Sequence, residues 1–101
     1  MPITVNSQSG GAVITLSGEI DHHGARVMMQ QMEDAIARTL PMRLTLDLSG
    51  VTFMDSSGIG VVLGRYRRMS ESGGKLRMGG MSIYAEKILR MAGVLALLER
   101  K

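Results

Sequence analysis

The spacing of apolar positions changes several times along the chain, and each change marks a predicted element. Ile3 to Asn6 is a short β-favouring run, Ser7-Gln8-Ser9-Gly10-Gly11 reads as a turn, and Val13-Ile14-Thr15-Leu16 follows before Ser17-Gly18. Two such runs about a Gly-containing turn predict a hairpin. From His22 to Leu40 the spacing becomes helical: Ala25, Met28, Met29, Met32, Ile36 and Leu40 recur at steps of three and four. Asp21 fits as N-cap, and Pro41 ends the helix. Leu44, Leu46 and Leu48 alternate with Thr45 and Asp47 as a strand that closes at Ser49-Gly50, and Val51-Thr52-Phe53-Met54 is a short apolar approach to Asp55. A second helix is predicted over 58–72, with Ile59, Val62, Leu63, Tyr66 and Met69 inward and Gly73-Gly74 as its stop. Lys75 to Met78 has strand character. Ser82 caps a third helix with Ile83, Ile88, Leu89 and Met91 as core candidates and Gly93 as its stop. Val94 to Leu98 fits a last strand or a final short helix.

The order is β-β-α-β-α-β-α-(β). Strands alternating with helices predict an α/β fold with parallel neighbours, and the leading hairpin makes the sheet mixed, mostly parallel. Residues 1–101 read as one domain, a length that holds one core.

Composition narrows the function classes. The 101 residues are 45% hydrophobic and 21% charged, with no Cys, which excludes disulfides, thiolate metal sites and Cys nucleophiles together. It also fits a cytoplasmic setting. The longest apolar runs fall far short of the ~20 residues of a membrane-spanning helix, and no secretory signal pattern opens the chain, so no membrane is expected. Ten Met beside three aromatics predict a core filled by flexible thioethers and aliphatics. Charge is uneven: three arginines against six carboxylates leave residues 1–64 at −3, while nine basic side chains against three glutamates put residues 65–101 at +6. Such asymmetry suits an acidic and a basic docking face. The basic residues are too dispersed, and too poor in aromatics, for direct nucleic-acid binding.

The most informative stretch is Phe53-Met54-Asp55-Ser56-Ser57-Gly58-Ile59-Gly60, between a strand and a helix. One reading is capping alone, Asp55, Ser56 or Ser57 giving an oxygen to the first helical N–H groups, worth about 1 kcal/mol. The glycines would then let the helix pack closely on the sheet. The other adds a phosphate: a Ser hydroxyl just ahead of a helix places a phosphoryl group where the dipole and free N–H groups favour an anion. Its charge of about −1.5 to −2 would repel an acidic partner or block an apolar contact without refolding the chain.

Leu16-Ser17-Gly18-Glu19-Ile20-Asp21-His22-His23 and the stretch from Phe53 through Gly64-Arg65-Tyr66 together resemble the anti-sigma factor antagonists of the STAS domain family, over nearly the whole chain. The resemblance implies a partner-switching regulator. In that family the unphosphorylated antagonist binds an anti-sigma factor that is also a serine kinase with bound ATP, phosphorylation of a loop Ser ends the binding, and a serine phosphatase resets it. Carried over by position, the phosphoacceptor is Ser56 and Asp21 belongs to the partner-binding surface. Asp55 and Ser57 flank the site, and Gly58 and Gly60 leave the helix start uncovered for a kinase. Family members finish with another helix after the last strand, whereas only Glu99-Arg100-Lys101 would follow a strand ending at Leu98.

Other chemistries fail on their own requirements. Asp21-His22-His23 mimics a metal-phosphoesterase signature, but the chain has no further His for a two-metal site, so no metal and no enzyme is expected. Gly58-x-Gly60-x-x-x-Gly64 has its third Gly one place late for a dinucleotide fingerprint, and no P-loop Lys follows. Ser56 and Ser57 lack an oriented His–carboxylate pair and a nucleophile elbow; no cofactor is implied. Besides the phospho-switch, two readings stay open: a constitutive STAS scaffold in a signalling assembly, and a small-ligand or nucleotide-binding module.

Overall fold

A computed structural model describes residues 3–99. Strands β1 (Ile3–Gln8) and β2 (Gly11–Ile20) form the hairpin, followed by α1 (His22–Thr39), β3 (Arg43–Met54), α2 (Ser57–Glu71), β4 (Lys75–Met81), α3 (Ile83–Met91) and α4 (Val94–Glu99). The sheet order is β1-β2-β3-β4, antiparallel in the hairpin and parallel thereafter. Sequential parallel strands joined by crossovers of one hand put their helices on one face. The helices accordingly pack in series, α1 on α2, α2 on α3 and α3 on α4. Strand alternation sorts the side chains: Ala12, Ile14, Leu16, Leu44, Leu46 and Leu48 are buried towards the helices, while Val13, Thr15, Thr45 and Asp47 lie on the uncovered face. Met28, Met32 and Met69 fill the layer between, as the thioether-rich composition predicts.

Two expectations need correction, and one open alternative is decided. β3 does not close at Ser49-Gly50; it runs twelve residues to Met54. Its register with β2 shifts between Thr15 and Ser17 and again between Gly18 and Glu19, so the extra residues of β3 are absorbed as bulges and Ile20 still pairs with Met54. A Ser-Gly pair in a strand thus marks a bulge as readily as an end, and a Cβ on Gly50 would lie 3.1 Å from that of Ser17. β4 likewise continues through Gly79-Gly80 to Met81.

Second, Leu40, Ile83 and Met91 are exposed rather than buried. Leu40 is the C-cap of α1, in the left-handed region at φ 46°. Ile83 lies two residues before Ala85 and Met91 two after Leu89, the buried pair of α3; two residues are about 200° around a helix, the opposite side. Of the two readings of 94–98 the short helix is the one found, with Val94, Leu95 and Leu98 buried at one-turn spacing. The last strand is therefore β4, and two helices follow it.

Candidate functional site

The parallel pairing of β2 with β3 builds the site. Ile20 and Met54 are register partners, and the Asp55 amide donates to the Ile20 carbonyl at 3.2 Å. Asp21 and Asp55-Ser56 therefore leave adjacent strands side by side, at the carboxyl edge where α1 and α2 begin. Four of the five residues singled out in the sequence (Asp21, Asp55, Ser56 and Ser57) come together at this corner, with Ser56 exposed and the others partly so. Gly58, the fifth, is buried beneath it.

Asp21 is the N-cap of α1, its Oδ1 accepting from the Gly24 amide at 2.8 Å. That hydrogen bond, helped by the charges of His23 and His22, holds its carboxyl below the ordinary range, against a smaller opposing effect of burial. The two imidazoles lie in the first turn of α1, exposed, with ring centroids 4.2 Å apart.

At α2 the structure decides among the three capping residues the sequence offered. Ser56 occupies the N-cap position with helical φ and ψ, and its hydroxyl makes no capping bond. Asp55 supplies the oxygen instead: its Oδ1 accepts from the Ser57 amide at 2.8 Å. The Asp55 carbonyl accepts from Gly58 at 3.0 Å and the Ser56 carbonyl from Ile59 at 3.1 Å. The first three N–H groups of α2 are thus engaged, which corrects the expectation that they stand free for a phosphate.

Gly58 fits the packing reading of the glycines. A Cβ there would lie 2.2 Å from Cε, 2.5 Å from Cγ and 2.8 Å from Sδ of Met54. Its lack of a side chain lets the helix start sit directly on the strand end. Gly60 is open, with nothing within 4 Å of a Cβ. Beneath the corner the two helices are tied by Glu33: its Oε2 accepts from Arg65 Nη1 at 2.6 Å and its Oε1 from Arg68 Nε at 3.2 Å. Burial pushes the Glu33 carboxyl up, but the two arginines outweigh it and hold the group below its ordinary value.

One residue of the corner was not singled out in the sequence. Phe53 is 48% exposed next to Met54, which is 5% exposed. The signal was strand alternation itself, since an inward Met54 turns Phe53 outward.

With this geometry in view, similarity to known proteins places the chain. The family model described as "Mlab, STAS domain" matches residues 3–99. An anti-sigma F factor antagonist of Paenibacillus polymyxa is 35% identical over 94 residues, covering 93% of this chain and 80% of that protein. One from Lysinibacillus sphaericus is 34% identical over 82 residues, covering 81% and 70%. Among solved structures, the anti-sigma factor antagonist SpoIIAA in its unphosphorylated form superposes with a TM-score of 0.78 at 28% identity, covering 91% of this chain and 81% of that one. The Bacillus cell fate determinant SpoIIAA in its phosphorylated form gives 0.73 at 27% identity, covering 93% and 86%. The family match over residues 3–99, the identities and the superpositions agree, and this chain belongs to the STAS domain family.

Proposed function

We propose that this protein is an anti-sigma factor antagonist, a cytoplasmic regulator without catalytic activity of its own, in which Ser56 is the switch. Unmodified, the corner formed by Asp21, Asp55, Ser56, Ser57 and the exposed Phe53 docks on an anti-sigma factor that is itself a serine kinase with bound ATP, and the sigma factor is released. Phosphorylation of Ser56 ends the docking, and a serine phosphatase restores it. The observation that carries this reading is the exposed Ser56 hydroxyl, free of any capping bond, at the start of α2. The names of the relatives support the partner class, and SpoIIAA has been solved in both phosphorylation states.

The chemistry is binding, gated by charge. A phosphate beside Asp55, whose carboxylate is already committed to the Ser57 amide, adds a repulsion and a desolvation cost at the interface of a few kcal/mol, or about tenfold in affinity per 1.4 kcal/mol. Incubation with ATP and a kinase-type anti-sigma factor from the same genome, read by mass spectrometry, tests the acceptor. One phosphate on Ser56, absent from Ser56→Ala, is the expected result. No label, or label on Ser57, would remove the proposal, and Ser56→Asp leaving the affinity unchanged would favour a constitutive scaffold.

A further inference from the structure

At the opposite end of β3, roughly 30 Å from Ser56 at ~3.3 Å per residue, lies a cluster that the switch does not use. Arg43 and Lys75 are register partners on β3 and β4, and Thr45 and Arg77 are the next pair along the uncovered face. Like charges facing each other across strands are unfavourable. Even so, none of the three cations is ion-paired among the described residues. Arg65 and Arg68 meet Glu33, and Arg90 meets Glu86 at 2.7 Å, whereas among the described residues Arg26, Arg38, Arg67 and Lys87 stand singly and apart from one another in the chain; what distinguishes this cluster is three cations on neighbouring register pairs of one face. Asp47, the carboxylate further along this face of β3, is already taken by the amide and hydroxyl of Ser49, at 2.9 and 2.7 Å.

Two of the cations, Arg43 and Arg77, border a depression. Gly11, Ala12, Arg43, Thr45 and Arg77 line a concavity of about 190 Å³. The hairpin turn lies beside it: a Cβ on Gly10 would come 3.9 Å from Arg43 Nη2. A drug-sized ligand needs about 300–1,000 Å³, so this space suits one compact anionic group. Two guanidinium forks and a nearby ammonium match a phosphoryl group, which accepts bidentate bonds.

We infer that the concavity lined by Arg43 and Arg77 on the uncovered sheet face, with Lys75 beside Arg43 across the strands, binds the phosphoryl group of a small soluble phosphate or phosphate monoester. The site is independent of Ser56 and stands whether or not the switch does.

Amide NMR of the full chain, titrated with inorganic phosphate and then pyrophosphate against a constant background of chloride, tests it. Saturable shifts at Gly10, Gly11, Thr45 and Arg77, tighter for pyrophosphate, are expected. Arg43→Gln/Arg77→Gln should weaken binding at least about tenfold, and Lys87→Gln on α3 should not. If the double variant loses the native spectrum, Lys75→Gln serves in its place, with a smaller loss at the same amides. Shifts that never saturate, that centre on 57–59, or that Lys87→Gln weakens equally would overturn the site, as would phosphate-insensitive amides in a protein that sediments with phosphatidylglycerol vesicles.

Discussion

Gly58→Ala probes how the site is held. The added methyl would meet Met54 at 2.2 to 2.8 Å along most of its side chain. Cγ is among the atoms struck, so swinging the terminal methyl aside does not relieve the clash; the helix start must lift or Met54 must leave its buried position. Overpacking of this kind costs about 1–3 kcal/mol, and the helical preference for Ala over Gly returns up to ~1 kcal/mol. The net loss is about 1–2 kcal/mol, or roughly 5–15 °C in Tm for a domain of this size. Gly60→Ala is the control: the same substitution in the same turn, with nothing within 4 Å, should be neutral or slightly stabilising. Urea unfolding of both variants, with Met54→Ala and the Gly58→Ala/Met54→Ala double, completes the assay. Met54→Ala alone should cost about 2–5 kcal/mol, and the double less than the sum by ~1 kcal/mol or more, because the new methyl enters the space Met54 vacates. Gly58→Ala as stable as the parent, or a Gly60→Ala loss of equal size, would refute the packing argument.

Three further outcomes follow from the same geometry. Asp21→Ala should lower Tm by removing the α1 cap while Asp21→Asn largely preserves it, so weaker partner binding in Asp21→Asn alone would report a direct contact; because the folded carboxyl is lowered, its contribution is full above pH ~4 and lost as pH falls below that. Glu33→Gln leaves Arg65, 7% exposed, beside a neutral partner, and with Glu33 itself 40% exposed the screened loss is about 1–2 kcal/mol in urea melts; its folded carboxyl is also lowered, so the difference from the parent should be constant from pH 5 to 8 and shrink below pH ~4. Leu40→Gly should raise stability by about 0.5–1 kcal/mol in the same melts, because an exposed Leu there adopts φ 46°.

The helices and their caps were legible in the sequence because local chemistry decides them: Asp21 and Ser82 both accept from the amide three residues on, as their positions promised. The corner was legible for a related reason, since Ser and Asp between a strand and a helix have few other uses. What escaped depended on partners distant in the chain. Ser49-Gly50 looks like an end until Ser17 and Gly18 pair alongside it. Whether 94–98 is strand or helix turns on the sheet edge that β4 offers and on the burial of Leu95 and Leu98. Gly58 showed that a small residue was needed, but that Met54 was the reason required the bulged register of β3. Asp55 rather than Ser56 as the cap is a matter of backbone angles that residue type does not encode. That last difference is the one the proposed switch uses, for it leaves the Ser56 hydroxyl without a capping bond.

The central claim is that charge on that hydroxyl decides association. Calorimetric titration of the unmodified protein and of protein stoichiometrically phosphorylated at Ser56 into the cognate anti-sigma factor with bound nucleotide measures it directly. The account predicts a Kd raised at least tenfold by the phosphate with the fold unchanged. Equal affinities for the two forms would contradict it.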